Sequence, residues 1–412
     1  MQYFWIRDVC VDVGRPPALS MHKYCIASLP GDGTGREVMQ EAINMLTAIE
    51  SCTDLQFDVT TLPCGGQHYL ETGREWEEGS FEFCRDDADA ILLGAIGWPD
   101  AHLPNGDLAG GQVILGLRSG LDLYANIRPI KLYPGVQHKV HGQHTQVWKP
   151  EYVDMVLIRE NTEGLYHSLL RRSADKALGR EPYEPESRTF PGLDGEVAWD
   201  PRPISKSGAE RVIKIAFDIA QYRHGSPSDG THRVTCVDKS NVARGCQLFR
   251  RVFDEVGESY PDVNKDYAYI DAFTMWLIRQ PEWFDVAVLP NMFGDIATDL
   301  AAVLQGGMGM APSGNIGVAH ALFEPVHGSS PKYAGKGKVN PIATLLSVQM
   351  MLSHLSRKKE DGEAARAAAA IEKAVADIIS EGTTLTYDLG GMSSTHDVGS
   401  AITERTRQYL IS

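Results

Sequence analysis

Asp295 and Asp299 lie four residues apart in the stretch Phe284–Leu300, FDVAVLPNMFGDIATDL. On a helix that spacing stacks both carboxylates on one face, one turn apart. Left alone, the like charges repel. A hard divalent cation such as Mg²⁺ or Mn²⁺ reverses the sign, because oxygen ligands are what it prefers. A solvated helix face that carries two acids has the same spacing. Arg118 and Arg128 are ten residues apart in LRSGLDLYANIRPIK. Guanidinium groups fork onto carboxylates, so the pair suggests a polyacid substrate, although two surface arginines read the same way. Arg159 and Tyr166 follow an apolar run in IRENTEGLY, Lys239 follows another in DKSNV, and Asp271 ends a third. A lysine beside an acid at a strand end is either a salt bridge or a proton carrier. His327, with Gly328 and Ser329 after it, fits a packed histidine or a loop that holds an adenine and its ribose.

These groups need strands that end beside one another and helices that start there. Tyr24 to Leu29, Gln56 to Leu62, Ala90 to Leu93, Asp154 to Ile158, Val234 to Val237, Tyr267 to Ile270 and Val286 to Leu289 read as strands. Ala90–Leu93 and Val286–Leu289 are continuously apolar, as in a parallel sheet buried on both faces. Helical patterns span Glu37–Ile49, Ser205–Tyr222, Gln247–Glu255 and Glu363–Ile379, with a further helix from near Ile342 and one at the C-terminus. The order is α/β, and strand ends in open α/β sheets are where ligands sit. PGDGTG after the first strand lacks the third glycine of the dinucleotide fingerprint, so a tight turn competes with a phosphate loop. Residues 170–203, rich in Arg, Glu, Asp, Pro and Gly, read as an insertion or arm. GGQVILGLR before Arg118 reads as a loop, and GGMGMAPSGNIG as a glycine-rich connection.

At 412 residues the chain has room for two domains. Apolar residues make up 43%, with no run of eighteen, which argues against a membrane protein. A net charge of −15 argues against a nucleic-acid partner. Cys10, Cys25, Cys52, Cys64, Cys84, Cys236 and Cys246 are scattered without CxxC pairs, which suits a reducing compartment. The first twenty residues lack the basic flank and long apolar core of a signal peptide. A cytoplasmic protein with an N-terminal extension follows, with Met21 as an alternative start.

Taken together, LRSGLDLYANIRP, IRENTEGLY, DKSNV, NMFGDIATDL and EPVHGSSPKYAGKGKVNP resemble the metal-dependent β-decarboxylating dehydrogenases of isocitrate, 3-isopropylmalate, homoisocitrate and tartrate or D-malate. The resemblance runs from Tyr24 to the C-terminus. It implies two α/β domains sharing one large mixed sheet in the isopropylmalate-dehydrogenase-like fold, not the common Rossmann fold. Residues 1–20 would be an extension, 21–123 plus 307–412 a discontinuous cofactor-binding domain, and 124–306 a dimerisation and substrate domain. The arm, 170–203, would clasp a second subunit in a homodimer with shared active sites. By the same resemblance Arg118, Arg128 and Arg159 bind the carboxylates of a small hydroxy acid. Asp295 and Asp299 hold Mg²⁺ or Mn²⁺ with the partner subunit's Asp271. Tyr166 and the partner subunit's Lys239 handle protons. Glu324, His327, Gly328, Ser329, Lys332, Tyr333, Val339, Asn340, Tyr387 and Asp388 fall in the cofactor-binding set.

Lys332, Tyr333, Val339 and Tyr387 resemble the pattern of NADP-using relatives, which favours NADP over NAD. The arginine expected four residues after Tyr387 is absent, and Gly391 stands there. Where isocitrate enzymes carry Ser and Asn for a third carboxylate, this chain has Gln112 and Ile114. An apolar Ile114 cannot pair with a buried charge, which argues against isocitrate. The expected reaction is therefore oxidative decarboxylation of a (2R)-malate with a C3 substituent, 3-isopropylmalate-like. Tartrate or D-malate and an unusual 3-substituted malate are the alternatives. A non-catalytic regulatory subunit would have lost metal or proton-transfer residues, and this chain retains them.

Overall fold

A computed structural model describes residues 22–185, 192, 195 and 197–412. The N-terminal extension, Met21 and Cys10 lie outside the described residues, as does the middle of the predicted arm.

In chain order the elements are β1 (His22–Leu29), α1 (Thr34–Glu50), β2 (Leu55–Thr61), α2 (Gly66–Thr72), α3 (Ser80–Asp86), β3 (Ala90–Leu93), α4 (Gly111–Gly120) and β4 (Ala125–Lys131). A hairpin, β5 (His138–Val140) and β6 (Gln143–Thr145), precedes β7 (Asp154–Glu160), α5 (His167–Ala177), α6 (Lys206–Ala220) and β8 (Arg233–Asp238). Next come α7 (Arg244–Gly257), β9 (Asn264–Tyr269), α8 (Ile270–Arg279), β10 (Val286–Leu289) and α9 (Asn291–Ala302). The chain closes with β11 (Pro312–Ile316), β12 (Ala321–Pro325), α10 (Ile342–Lys359), α11 (Gly362–Glu381) and α12 (Thr395–Ile411).

Ten strands form one mixed sheet in the order β2-β1-β3-β12-β11-β4-β7-β10-β8-β9. Strands drawn from residues 22–93 and 312–325 make one half, and strands from 125–289 the other. The strands of each flank run parallel; at the centre β12–β11, β11–β4 and β4–β7 are antiparallel. Every residue of β3 and β10 is buried, which is what their unbroken AILL and VAVL runs require of strands covered on both faces. Helices pack their apolar stripes onto the faces. α6 buries Ala209, Val212, Ile213, Ala216 and Ile219, and its N-cap Ser205 accepts the Gly208 amide at 2.9 Å.

Three sequence expectations change. GGQVILGLR is not a loop: it is α4, so Gln112 and Ile114 stand on its first turns. The predicted arm begins too early, because its first residues belong to α5. There Leu170, Ser173 and Ala174 are buried while Arg171 is exposed and Arg172 half-buried, so the charges mask the helical stripe. GGMGMAPSGNIG contains β11, all of it buried between β12 and β4. Its Pro, Ser, Gly and Asn have low strand propensity, and burial at the sheet centre overrides that.

Candidate active site and family

The register of the central strands sets the site. Leu289, the last residue of β10, pairs with Arg159 on β7, and Arg159 pairs with Asn126 on β4. Pro290 then turns the chain, so α9 starts against Arg159. Gly294 permits that approach, since a Cβ there would lie 2.6 Å from Arg159 Cβ. Asp295 and Asp299 consequently face two arginines. Arg159 pairs with Asp295 through Nη1, and Arg128 Nη1 reaches Asp299 at 3.0 Å. Both guanidinium groups are buried, whereas 36% of the Asp295 side chain and 49% of the Asp299 side chain are exposed. The carboxylates are therefore open to solvent with buried cations behind them.

Tyr166, delivered by the turn after β7, donates its hydroxyl to Asp295 Oδ2 at 3.0 Å. Burial first, and then the Asp295 charge, push its phenol above the ordinary tyrosine value, so it stays protonated. Burial and the neighbouring Arg118 hold the Arg159 guanidinium down at about 10, still cationic at neutral pH. Arg118, on α4, donates to Glu324 on β12 at 2.8 Å. Glu324 is thus turned to the arginine and to Asn315, 2.8 Å away, not to the loop that follows it.

Several positioning groups escape a reading of the sequence. Asn291 accepts from Arg159 Nε at 2.9 Å and donates to the Glu163 carbonyl at 2.8 Å. It thereby ties the arginine to the Tyr166 turn. Asn126 accepts from Arg128 Nε at 2.8 Å and donates to Asn315 at 2.9 Å. Buried Glu160 accepts from the Thr162 and Glu163 amides, and buried Glu75 accepts the Gly110 and Gln112 amides at the start of α4. For Asn126, Glu160 and Asn291 the signal is a polar residue within or beside an apolar run, which single-sequence periodicity registers only as noise, and Glu75, in ETGREWEEG, has no such signal.

Lys239 and Asp271 are elsewhere on this chain. They pair with each other at 2.6 Å, and 67% of the Asp271 side chain is exposed. Among the described residues, no three His, Cys, Asp or Glu side chains gather as a metal cage. Asp295 and Asp299 offer hard carboxylate oxygens of the right type for Mg²⁺ or Mn²⁺, with the remaining ligands to come from substrate, water or another chain.

The loop after β12 carries the remaining residues. Buried Ser329 accepts at its carbonyl from the Thr34 amide at 2.9 Å, and its hydroxyl donates to the Gly97 carbonyl. Asp32 in GDGTG accepts the Gly66, Gln67 and Gly97 amides, each at 2.8 Å, so that motif works as a structural turn. His327 Nδ1 contacts the Gly328 carbonyl at 3.1 Å. Its Nε2 is buried with no hydrogen-bond partner among the described residues, an orphan that a ligand atom can satisfy. Tyr333 stacks on Tyr387 with ring centres 5.6 Å apart, and exposed Lys332 lies over the Tyr333 ring. Asn340 donates to Asp388 at 3.0 Å, and the Val339 carbonyl accepts from Thr395. Ile114 is half-buried against the apolar cluster of Val113 and Leu117, and Gln112 donates to the Ser173 carbonyl on α5.

A family model described as "Isocitrate/isopropylmalate dehydrogenase" matches residues 25–402. The chain is 39% identical over 390 residues to the 3-isopropylmalate dehydrogenase of Thermobifida fusca, covering 93% of this chain and 98% of that one. It is 38% identical to the 3-isopropylmalate/3-methylmalate dehydrogenase of Methanocaldococcus jannaschii, over 94% of this chain and all of the relative (100%). Among solved structures, the isocitrate dehydrogenase of Methylococcus capsulatus superposes with a TM-score of 0.74 at 31% identity, over 93% of this chain and 100% of that one. A β-decarboxylating dehydrogenase of Thermococcus kodakarensis gives 0.69 at 34% identity, over 93% and 96%. With the match extending along nearly the whole chain, this protein belongs to the isocitrate/isopropylmalate dehydrogenase family and is a nicotinamide-dependent, decarboxylating hydroxy-acid dehydrogenase.

Proposed function

We propose that the enzyme oxidises and decarboxylates a (2R)-malate bearing an apolar C3 substituent, 3-isopropylmalate-like, with NADP and Mg²⁺ or Mn²⁺. The observation that carries this reading is the convergence of Arg128 and Arg159 on Asp295 and Asp299, with the Tyr166 phenol on the same carboxylate. Arg118, Arg128 and Arg159 bind the two substrate carboxylates. Asp295, Asp299 and the partner subunit's Asp271 hold the metal. Bound cofactor supplies the hydride acceptor, and bound metal supplies the Lewis acid for charge on the C2 oxygen. The partner subunit's Lys239 takes the hydroxyl proton. Tyr166, kept protonated by its surroundings, returns a proton to C3 once CO₂ has left.

Ile114 has no polar atom and Gln112 is engaged with the Ser173 carbonyl, so the first turns of α4 offer a third carboxylate no partner, which supports an apolar substituent over isocitrate. Lys332 beside the Tyr333–Tyr387 stack supports NADP, since a cation suits the 2′-phosphate. Within the cofactor half, His327, Gly328, Ser329, Asn340, Val339 and Asp388 shape the adenine-ribose loop. A homodimer is supported by the adjoining helices α8 and α9, which leave Met275, Ile278 and Ile296 exposed. Six described cysteines, all free, support a cytoplasmic setting.

The test is absorbance at 340 nm with a panel of 3-substituted malates, each cofactor, and Mn²⁺ with or without chelator. Turnover is expected with 3-alkylmalates and to vanish with chelator. Turnover of isocitrate alone, or full activity without metal, would overturn the assignment.

A further inference from the structure

The β5–β6 hairpin belongs to the segment between β4 and β7, yet it reaches across to the loop at Tyr387. His144 Nε2 lies 3.1 Å from the Asp388 carbonyl, and Gly390 closes against the same imidazole. That anchor places Lys139 Nζ 5.7 Å from the Tyr387 ring centre. Around the stacked Tyr333, Lys332 Nζ lies at 5.4 Å and Lys336 Nζ at 5.9 Å. Three ammonium groups from two distant stretches therefore surround one aromatic pair.

The acid beside Lys336, Glu37, accepts the Gly335 and Gly337 amides. None of Lys139, Lys332 and Lys336 has an ion pair among the described residues; Lys336 donates only to the Lys332 carbonyl at 2.6 Å. The nearest acid on the Tyr387 turn, Asp388, is directed inward: Oδ2 accepts from Asn340 at 3.0 Å and Oδ1 from Thr386 at 2.5 Å. Like charges gathered without a counter-ion repel, and a phosphate monoester of about −1.5 to −2 charge relieves this. The turn itself cannot supply a further cation at position 391. Any side chain there would collide with the Leu385 carbonyl.

We propose that Lys139 is a specificity-determining residue that binds the 2′-phosphate of the dinucleotide, acting from the hairpin opposite Lys332 and Lys336. This rests on the reading of NADP as cofactor. The ligand's adenine end lies along the Tyr387 turn, and its 2′-phosphate enters among the three ammonium groups. Lys139 thereby makes cofactor choice depend on a strand outside the cofactor-binding half.

Calorimetric titration of the full chain with 2′,5′-ADP, 5′-AMP and inorganic phosphate tests it without turnover. The native protein is expected to bind 2′,5′-ADP at least about tenfold tighter than 5′-AMP, a difference of about 1.4 kcal/mol or more. Lys139→Gln should weaken 2′,5′-ADP about five- to tenfold, leave 5′-AMP within about twofold, and keep the melting temperature. Lys332→Gln is the comparator. If the native protein prefers 2′,5′-ADP and Lys139→Gln does not change that, Lys139 is excluded while NADP stands. Equal affinity of the native protein for 2′,5′-ADP and 5′-AMP, or phosphate alone binding as tightly as 2′,5′-ADP, overturns the NADP reading and this assignment with it.

Discussion

Tyr166 donates to the same carboxylate that Arg159 pairs with: its hydroxyl lies 3.0 Å from Asp295 Oδ2. The acid proposed to bind the metal thus also holds the hydroxyl proposed as proton donor. Asp295→Asn removes the charge and keeps the shape. It is expected to weaken Mn²⁺ binding and to lower turnover by about 10²-fold or more. The Tyr166 phenol should titrate lower than in the native protein, because the Asp295 charge helps to raise it. Burial, the larger cause, persists, so the shift is partial. Ultraviolet difference titration against Tyr166→Phe reads this directly, and an unmoved phenol would contradict the coupling.

Asn291 is buried and makes two contacts of opposite sense, accepting from Arg159 and donating to the Glu163 carbonyl. Asn291→Ala leaves both partners unsatisfied, at a cost of about 1–3 kcal/mol each in a buried setting. Asn291→Asp keeps the acceptor and loses the donor. The expected order of substrate KM is native, then Asp, then Ala, with stability by urea unfolding following the same order. Equal behaviour of the two variants would show that the Arg159 contact does not matter.

Gly294 lies where α9 meets β7, and an added methyl would stand 2.6 Å from Arg159 Cβ and 2.7 Å from its Cγ. Gly294→Ala has an ordinary helical conformation available, so backbone strain is not the issue; collision with the arginine is. The expected result is a loss of about 1–3 kcal/mol in stability and a raised KM for the hydroxy acid. Cofactor-fragment affinity, read with 5′-AMP, should stay close to native.

β7 and β10 were legible because burial on both faces leaves apolar runs, as in Val286–Leu289, whereas β4 and β12, which carry Arg128 and Glu324, were not read as strands. The carboxylate pair was legible because a helix repeats every 3.6 residues. β11 was not, since Ser313 and Asn315 are polar residues buried by partners from β4 and β12 that no local window contains. α4 and α5 were missed for a related reason: each is short, and their mutual packing, not their propensity, stabilises them. Lys139 carries no local signal at all; its meaning comes from Tyr387, far along the chain.

Acid should destabilise the fold through two half-buried histidines. Burial, with Arg357 and Lys358 on the same helix adding to it, pushes the His354 imidazole down to about 3 from an ordinary 6.5. Burial likewise lowers His327. Below about 6.5 the unfolded imidazole takes up a proton, whereas the folded one resists until about 3. Stability is therefore fully present above the unfolded value and falls with pH across that window, at up to about 1.4 kcal/mol per pH unit for each such group. His354→Gln cannot titrate, so its urea midpoint should drop less than the native one between pH 8 and pH 5. If the two midpoints fall in parallel, His354 is already protonated in the folded protein and its ring is better solvated than its packing beside Phe323 implies.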